Sequence, residues 1–394
     1  MSAIRGRGSF ILAAALLAAL LLPATSQAIP WDRSGSVAPA DTPPALQPDA
    51  QCLESYADDQ PKGGPAIRFG IGPRLAGEVG SAQSIPLIAV DPVRRDAALR
   101  KLAGKKSFTV RLNRLFMKDG ASGIRRFRRM ARHYASLGFR VELQVRYHPS
   151  EAQNGNIRSW VAYVRRVVRS LGSVKGVTAL QITNEVNLTF SQNTSDGYYD
   201  KARNALIQGV KAASHTARRE GHPDLEIGFN YAWRFGDADD ADFWRTLRSE
   251  GGRALRRSTD WIGIDLYPGT FVPSSFEIEN YGDAFLEALA QMRECYMVIG
   301  GFGPGVPLRI EETGWPTGPG RSDSGQQTIL RRFVNTAVRY RGTYGVSDFR
   351  WFGLRDNNSD GPDFQSHYGL LDDDYERKPA FGEYRRLLAR FGAP

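Results

Sequence analysis

The sequence is short of several things, and each shortage closes off a class of protein. Two cysteines, Cys52 and Cys295, in 394 residues exclude a disulfide-framework fold and any multi-cysteine zinc or iron–sulfur module. Histidine occurs five times, and no second His or Cys sits at metal-ligand spacing. No catalytic metal and no cofactor are therefore expected. No G-x-G-x-x-G follows the first apolar strand. Gly70-Ile71-Gly72-Pro73 is no substitute, because Pro73 removes a backbone donor. A G-x-x-x-x-G-K-[ST] loop and a G-x-S-x-G elbow are also missing. Long apolar runs are confined to Phe10–Leu22, about 13 residues against the roughly 20 needed to cross a bilayer.

That run reads as an address. Arg5 and Arg7 precede it, Pro23 breaks it, and Ser26-Gln27-Ala28 offers a cleavage site. The expectation is a signal peptide over residues 1–28, a secreted product, and no stable membrane insertion after cleavage. Secretion would permit a Cys52–Cys295 disulfide; two separate thiols are the alternative. Residues 29–65, rich in Pro, Ala, Asp and Ser, read as a linker or wrapping arm. The remaining 66–394 read as a single catalytic domain.

Positive charge is plentiful, with a net +10, and most of it is arginine. The densest cluster, Arg125, Arg126, Arg128, Arg129 and Arg132, alternates with Ile124, Phe127, Ala131 and Tyr134 at helical spacing. These arginines belong on the wet side of an amphipathic helix, so no nucleic-acid partner is expected. Oligomeric state leaves no trace in the sequence.

From residue 66 onward, short apolar strands recur about eight times, with helical periodicity between them. Trp160, Val164, Val167 and Leu171 mark one such helix. Strands alternating with helices predict parallel strands in an α/β fold, and the count of eight predicts a (β/α)8 TIM barrel. In a barrel the C-terminal strand ends converge on one mouth. The fourth predicted strand ends in Asn184-Glu185. The seventh ends in Glu311-Glu312-Thr313-Gly314-Trp315-Pro316. Strands four and seven lie on opposite sides of that mouth, so a carboxylate from each can face the other. Glycosidic cleavage needs such a pair: one carboxylic acid protonates the leaving oxygen, and one carboxylate attacks the anomeric carbon.

Asn-Glu closing strand four and Glu-x-Gly closing strand seven resemble clan A of the glycoside hydrolases, which are retaining (β/α)8 enzymes. Glu312-Thr313-Gly314-Trp315-Pro316 is similar to the nucleophile segment of secreted β-1,3-glucanases of that clan. The rest reads more like cellulase- or mannanase-type members, and no family within the clan is assigned. The likeness spans residues 66–390 by strand order. Tyr368-Gly369-Leu370-Leu371-Asp372 and Lys378-Pro379-Ala380-Phe381 are similar to the family's closing segment.

The resemblance implies a β-linked oligo- or polysaccharide as substrate, Glu185 as acid/base and Glu312 as nucleophile. Strand alternation is expected to turn Glu311 the other way. By the same resemblance Asn184 bonds the sugar 2-hydroxyl, while Arg111 and Tyr267 support the nucleophile. His148 belongs to the same region. Trp351 supplies a sugar platform, with Phe352 as the alternative by parity. Trp233, Phe271 and Trp315 lie on mouth-side loops as further lining residues. A non-catalytic carbohydrate-binding barrel is the competing reading.

Overall fold

The computed structural model describes residues 59–73, 88–234, 238–271 and 281–394. The leader and Cys52 lie outside the described residues; Cys295 is buried. Eight parallel strands close a barrel in sequence order: β1 Arg68–Ile71, β2 Phe108–Phe116, β3 Arg140–Arg146, β4 Val177–Ile182, β5 Glu226–Ala232, β6 Trp261–Asp265, β7 Leu308–Thr313 and β8 Val346–Trp351. The (β/α)8 expectation therefore holds. Among the described residues, no helix is long and apolar enough to cross a membrane.

Helices form where the apolar period is 3.6. Ile157–Leu171 buries Trp160, Val164, Val167 and Leu171 as one stripe, and the Asn156 side chain caps its first turn by accepting from Ser159 N. Gly120–Ser136 buries Ile124, Phe127, Ala131 and Tyr134 and leaves Arg125, Arg129 and Arg132 in solvent. The last described residues of the arm run against the segment before β8. There Tyr344 donates to Asp59 at 2.6 Å, and Arg341 Nε donates to Gly64 O at 2.8 Å.

The strands divide their two faces unusually. Barrel interiors of this kind are dominated by branched aliphatics, yet here the apolar residues Val110, Leu112, Val141, Leu143, Leu180, Ile182, Ile262, Ile264, Phe349 and Trp351 belong to the buried hydrophobic core, and charged side chains alternate with them. Arg68 reaches Glu226 at 3.2 Å and Asp348 at 2.7 Å. Arg309 reaches Glu226 at 2.6 Å and Asp348 at 3.3 Å. Arg350 reaches Asp348 at 2.6 Å and Glu142 at 3.2 Å. Arg111 continues the ladder to Glu142, Glu311 and Glu312. Two glycines make room for it. A Cβ at Gly70 would stand 2.7 Å from Arg350 Cδ, and one at Gly263 would stand 2.7 Å from Glu311 Cγ.

Such a ladder is costly to break from one side, because the partner charge stays buried. Arg350→Leu would leave Asp348 and Glu142 each short of a cation. The expected loss is about 3–5 kcal/mol, read as a lowered urea midpoint at unchanged slope. A midpoint equal to that of the parent would show that the ladder does not hold the barrel together.

Candidate active site

Two departures from regular strand geometry build the floor of the mouth. Between β6 and β7, Ile264 pairs with Ile310 but Asp265 pairs with Glu312. Between β7 and β8, Ile310 pairs with Phe349 and Thr313 with Trp351. One extra residue is thus inserted in β7 against both neighbours, a β-bulge of the kind that re-aims side chains. The expectation that Glu311 and Glu312 point opposite ways is overturned. Arg111 meets both, with Nη1 2.6 Å from Glu312 Oε1 and Nε 3.3 Å from Glu311 Oε2. A second bulge follows Leu112 in β2 and lets Asn113 accept from Arg111 Nη1 at 3.1 Å.

After β4 the backbone takes left-handed φ values at Thr183 (66°) and Glu185 (46°). Non-glycine residues hold such values only where the surroundings fix them. Here Asn184 N donates to Asp196 Oδ2 at 2.9 Å and Glu185 N to Asn230 Oδ1 at 3.0 Å. Asp196 is itself held by Arg146 Nε at 2.8 Å. The turn delivers the Glu185 carboxyl over the barrel axis.

There one carboxylate oxygen each from Glu185, Asp265 and Glu312 lies within 4.8 Å of the others. The environments of these three differ. Glu312 is engaged on both oxygens: Arg111 Nη1 donates to Oε1, and the Tyr267 hydroxyl donates to Oε2 at 3.0 Å. Burial, then the charge of Glu312, pushes the Tyr267 phenol far up, so it remains a donor. Among the described residues, Glu185 has neither a cation nor a hydroxyl on its carboxylate and accepts only from Asn184 Nδ2, at 3.2 Å. Burial, and next the charge of Glu312, lift its pKa to about 8. Asp265 is raised well above the carboxylate range by burial and by both glutamates; its Oδ2 accepts from Asn230. Among the described residues these three carboxyls are the group that could hold a cation. Protein donors already engage oxygens on each of them.

Asn184 and Arg111 are fixed by amides that the sequence reading passed over. Asn184 Oδ1 accepts from Gln144 Nε2 at 2.8 Å, Asn230 Nδ2 at 2.8 Å and Gln181 Nε2 at 3.2 Å. Arg111 Nη2 donates to Gln181 Oε1 at 2.6 Å. A signal for Gln144, Gln181 and Asn230 was present: each is a polar residue with an apolar neighbour on either side in a buried strand.

The aromatic expectations need correction. Trp351 is 1% exposed and shares the apolar face of β8 with Phe349, so it offers no surface to a ligand. The next residue, half-buried Phe352, packs edge-on against Tyr267 and Tyr368 and takes the inward place. Trp233 is buried, its indole N–H donating to Gln291 at 2.8 Å. Trp315 is buried beneath Arg321, whose guanidinium sits 4.8 Å from the ring. Both brace loops from behind. Phe271, 61% exposed and 5.3 Å from the Tyr267 ring, does reach the rim, as does Phe190 at 75% on the loop that carries Glu185. His148 is buried, stacked on Phe116 at 4.3 Å and bonded to Tyr199. Burial, then Arg146 and Lys118, lower its pKa to about 3, leaving a neutral ring.

No family profile matches the chain, and no curated protein does. Solved structures do share the fold. A glycoside hydrolase family 17 β-1,3-glucanosyltransferase from Rhizomucor miehei matches with a TM-score of 0.51 at 16% identity, covering 79% of this chain and 96% of that chain. A GH5_18 variant from Streptomyces cattleya, solved with Manβ1-4GlcNAc, gives 0.58 at 14% over 82% and 81%. A fungal β-1,4-galactanase gives 0.54 at 14% over 82% and 99%. At these identities the likeness is one of fold.

Proposed function

We propose that the protein is a secreted retaining glycoside hydrolase that cleaves β-glycosidic bonds in an oligo- or polysaccharide. The observation that carries this reading is the pair Glu185 and Glu312, with carboxylate oxygens within 4.8 Å of each other and opposite environments. Double displacement uses carboxyls about 5–5.5 Å apart, whereas inversion needs about 6.5–9.5 Å to admit a water. The similar structures include a β-1,3-glucanosyltransferase, a complex with Manβ1-4GlcNAc and a β-1,4-galactanase, which supports the substrate class but not a particular sugar.

In the first step Glu185, protonated at neutral pH, gives its proton to the leaving oxygen while Glu312 Oε attacks the anomeric carbon. The C–O bond to the leaving group breaks and a glycosyl ester of Glu312 forms. Esterification removes the charge of Glu312. That charge is the second cause of the raised Glu185 pKa, so the acid becomes easier to ionise when it must act as base. Glu185 then takes a proton from water, the water oxygen displaces Glu312, and the anomeric configuration is restored.

Incubation with β-glucan, mannan, xylan and galactan, followed by proton NMR of the new reducing ends, tests the assignment. The β-anomer is expected first, with mutarotation to the α-anomer later. An α-anomer appearing first would mean inversion. Sugar binding without any new reducing ends would favour a non-catalytic carbohydrate-binding barrel.

A further inference from the structure

We propose that Glu311 and Glu142 form a carboxyl dyad beneath the site that positions Arg111 against Glu312. This rests on the retaining reading above and adds a role for the glutamate that the β7 bulge turns inward. The Arg111 guanidinium is hydrogen-bonded on its Nη side: Nη1 to Glu312 and Asn113, Nη2 to Gln181. Its Nε makes no hydrogen bond and is held by charge alone, 3.3 Å from Glu142 Oε1 and 3.3 Å from Glu311 Oε2. The two carboxyls thus fix the third corner of a planar fork from behind. Without the dyad, only the Nη side would be anchored.

Charge counting tells what the dyad carries. The ladder holds four guanidiniums, those of Arg68, Arg111, Arg309 and Arg350. Against them stand five carboxyls: Glu142, Glu226, Glu311, Glu312 and Asp348. One carboxyl is in excess. It is Glu311, which is 1% exposed and shares Arg111 Nε with Glu142, each 3.3 Å from it. Arg350 and Arg309 face Glu142 and help hold it ionised, with a pKa of about 2, although burial opposes this. Burial, then Glu142, drives Glu311 far up, against the opposing pull of Arg350 and Arg111; Glu311 in turn adds to the upward push on Asp265 from β6. Glu311 therefore keeps its proton, donates it to Glu142 and turns its carbonyl oxygen to Arg111. In this arrangement Glu311 acts through Arg111 and touches no substrate.

Two substitutions separate positioning from packing. Glu311→Leu keeps the volume but removes both donor and acceptor. Its kcat is expected to fall about 10²-fold, the scale of a small misplacement of a catalytic group, with KM little changed. Its urea midpoint should fall, because Glu142 and Arg111 are each left short of a buried partner, so kcat is compared on folded enzyme. Glu311→Gln, a fixed mimic of the protonated acid, should recover most of the lost rate. Parental kcat in the leucine variant would overturn the proposal, as would a glutamine variant as slow as the leucine one. Should the parent cleave none of the four glycans, the function assignment fails on its own. The dyad is then read by infrared difference at neutral pH, where parent minus Glu311→Gln must show a protonated-carboxyl stretch. A missing band would end it.

Discussion

Glu312→Gln is expected to lower turnover on the order of 10⁴-fold or more while oligosaccharide binding persists. The amide fills the same space: its oxygen can accept from Arg111 and its NH2 can donate to the Tyr267 hydroxyl, which are 2.6 and 3.0 Å away in the parent. What it lacks is the anion that attacks the anomeric carbon, so no ester can form. Binding, followed by calorimetry with short oligomers of whichever glycan the parent cleaves, should change little, since the sugar is held by many other groups. The adjacent Glu311→Gln serves as contrast, because that carboxyl already carries its proton. A Glu312→Gln enzyme that hydrolyses at the parental rate would sink the nucleophile assignment. Equal damage from both glutamine variants would show that the bulge had been given the wrong inward residue.

The second large effect concerns Glu185. Its replacement by glutamine should cost roughly 10²–10⁴-fold for natural glycans, the range of general acid catalysis. The loss should shrink for aryl glycosides, whose leaving group departs without protonation. The pH dependence has a definite sign. Glu185 must be protonated for the first step, and its pKa stands at about 8. Parental kcat/KM should therefore hold through neutrality and fall as the pH rises through about 8. In Glu185→Gln that alkaline limb should vanish. Added azide should restore turnover of an aryl glycoside by Glu185→Ala and yield a β-glycosyl azide, since a small anion needs no general base. An alkaline limb unchanged in Glu185→Gln would assign the proton to another group, with Asp265 the first to test.

Much of this was legible in the residues themselves. The eight strands stand close to where their apolar runs put them, because a strand buried on both faces leaves a compact mark in the chain. Asn184-Glu185 and Glu312 could be placed at strand ends by order alone. Arg111, near the end of the second predicted strand, was singled out through the resemblance, with Asn113 and Arg114 close by. The aromatic platform was misplaced for a physical reason. Side-chain parity fixes which of Trp351 and Phe352 faces inward, but parity has to be anchored to a neighbour. The neighbouring strands set Phe349 and Trp351 against the helices. Glu311 escaped for the same reason: alternation holds only while register is unbroken, and a bulge is visible only as a mismatch between two strands.

Local sequence determined what needs only its own neighbours in the chain: the helical stripes, the strand count and the carboxylates waiting at two strand ends. Tertiary structure decided what depends on partners far away. It turned both Glu311 and Glu312 inward, set Arg111 between them, raised the pKa of Glu185, put donors on both oxygens of Glu312, and buried three tryptophans expected to face the sugar. Ionisation and orientation are properties of surroundings, and here those surroundings come from strands that meet only when the barrel closes.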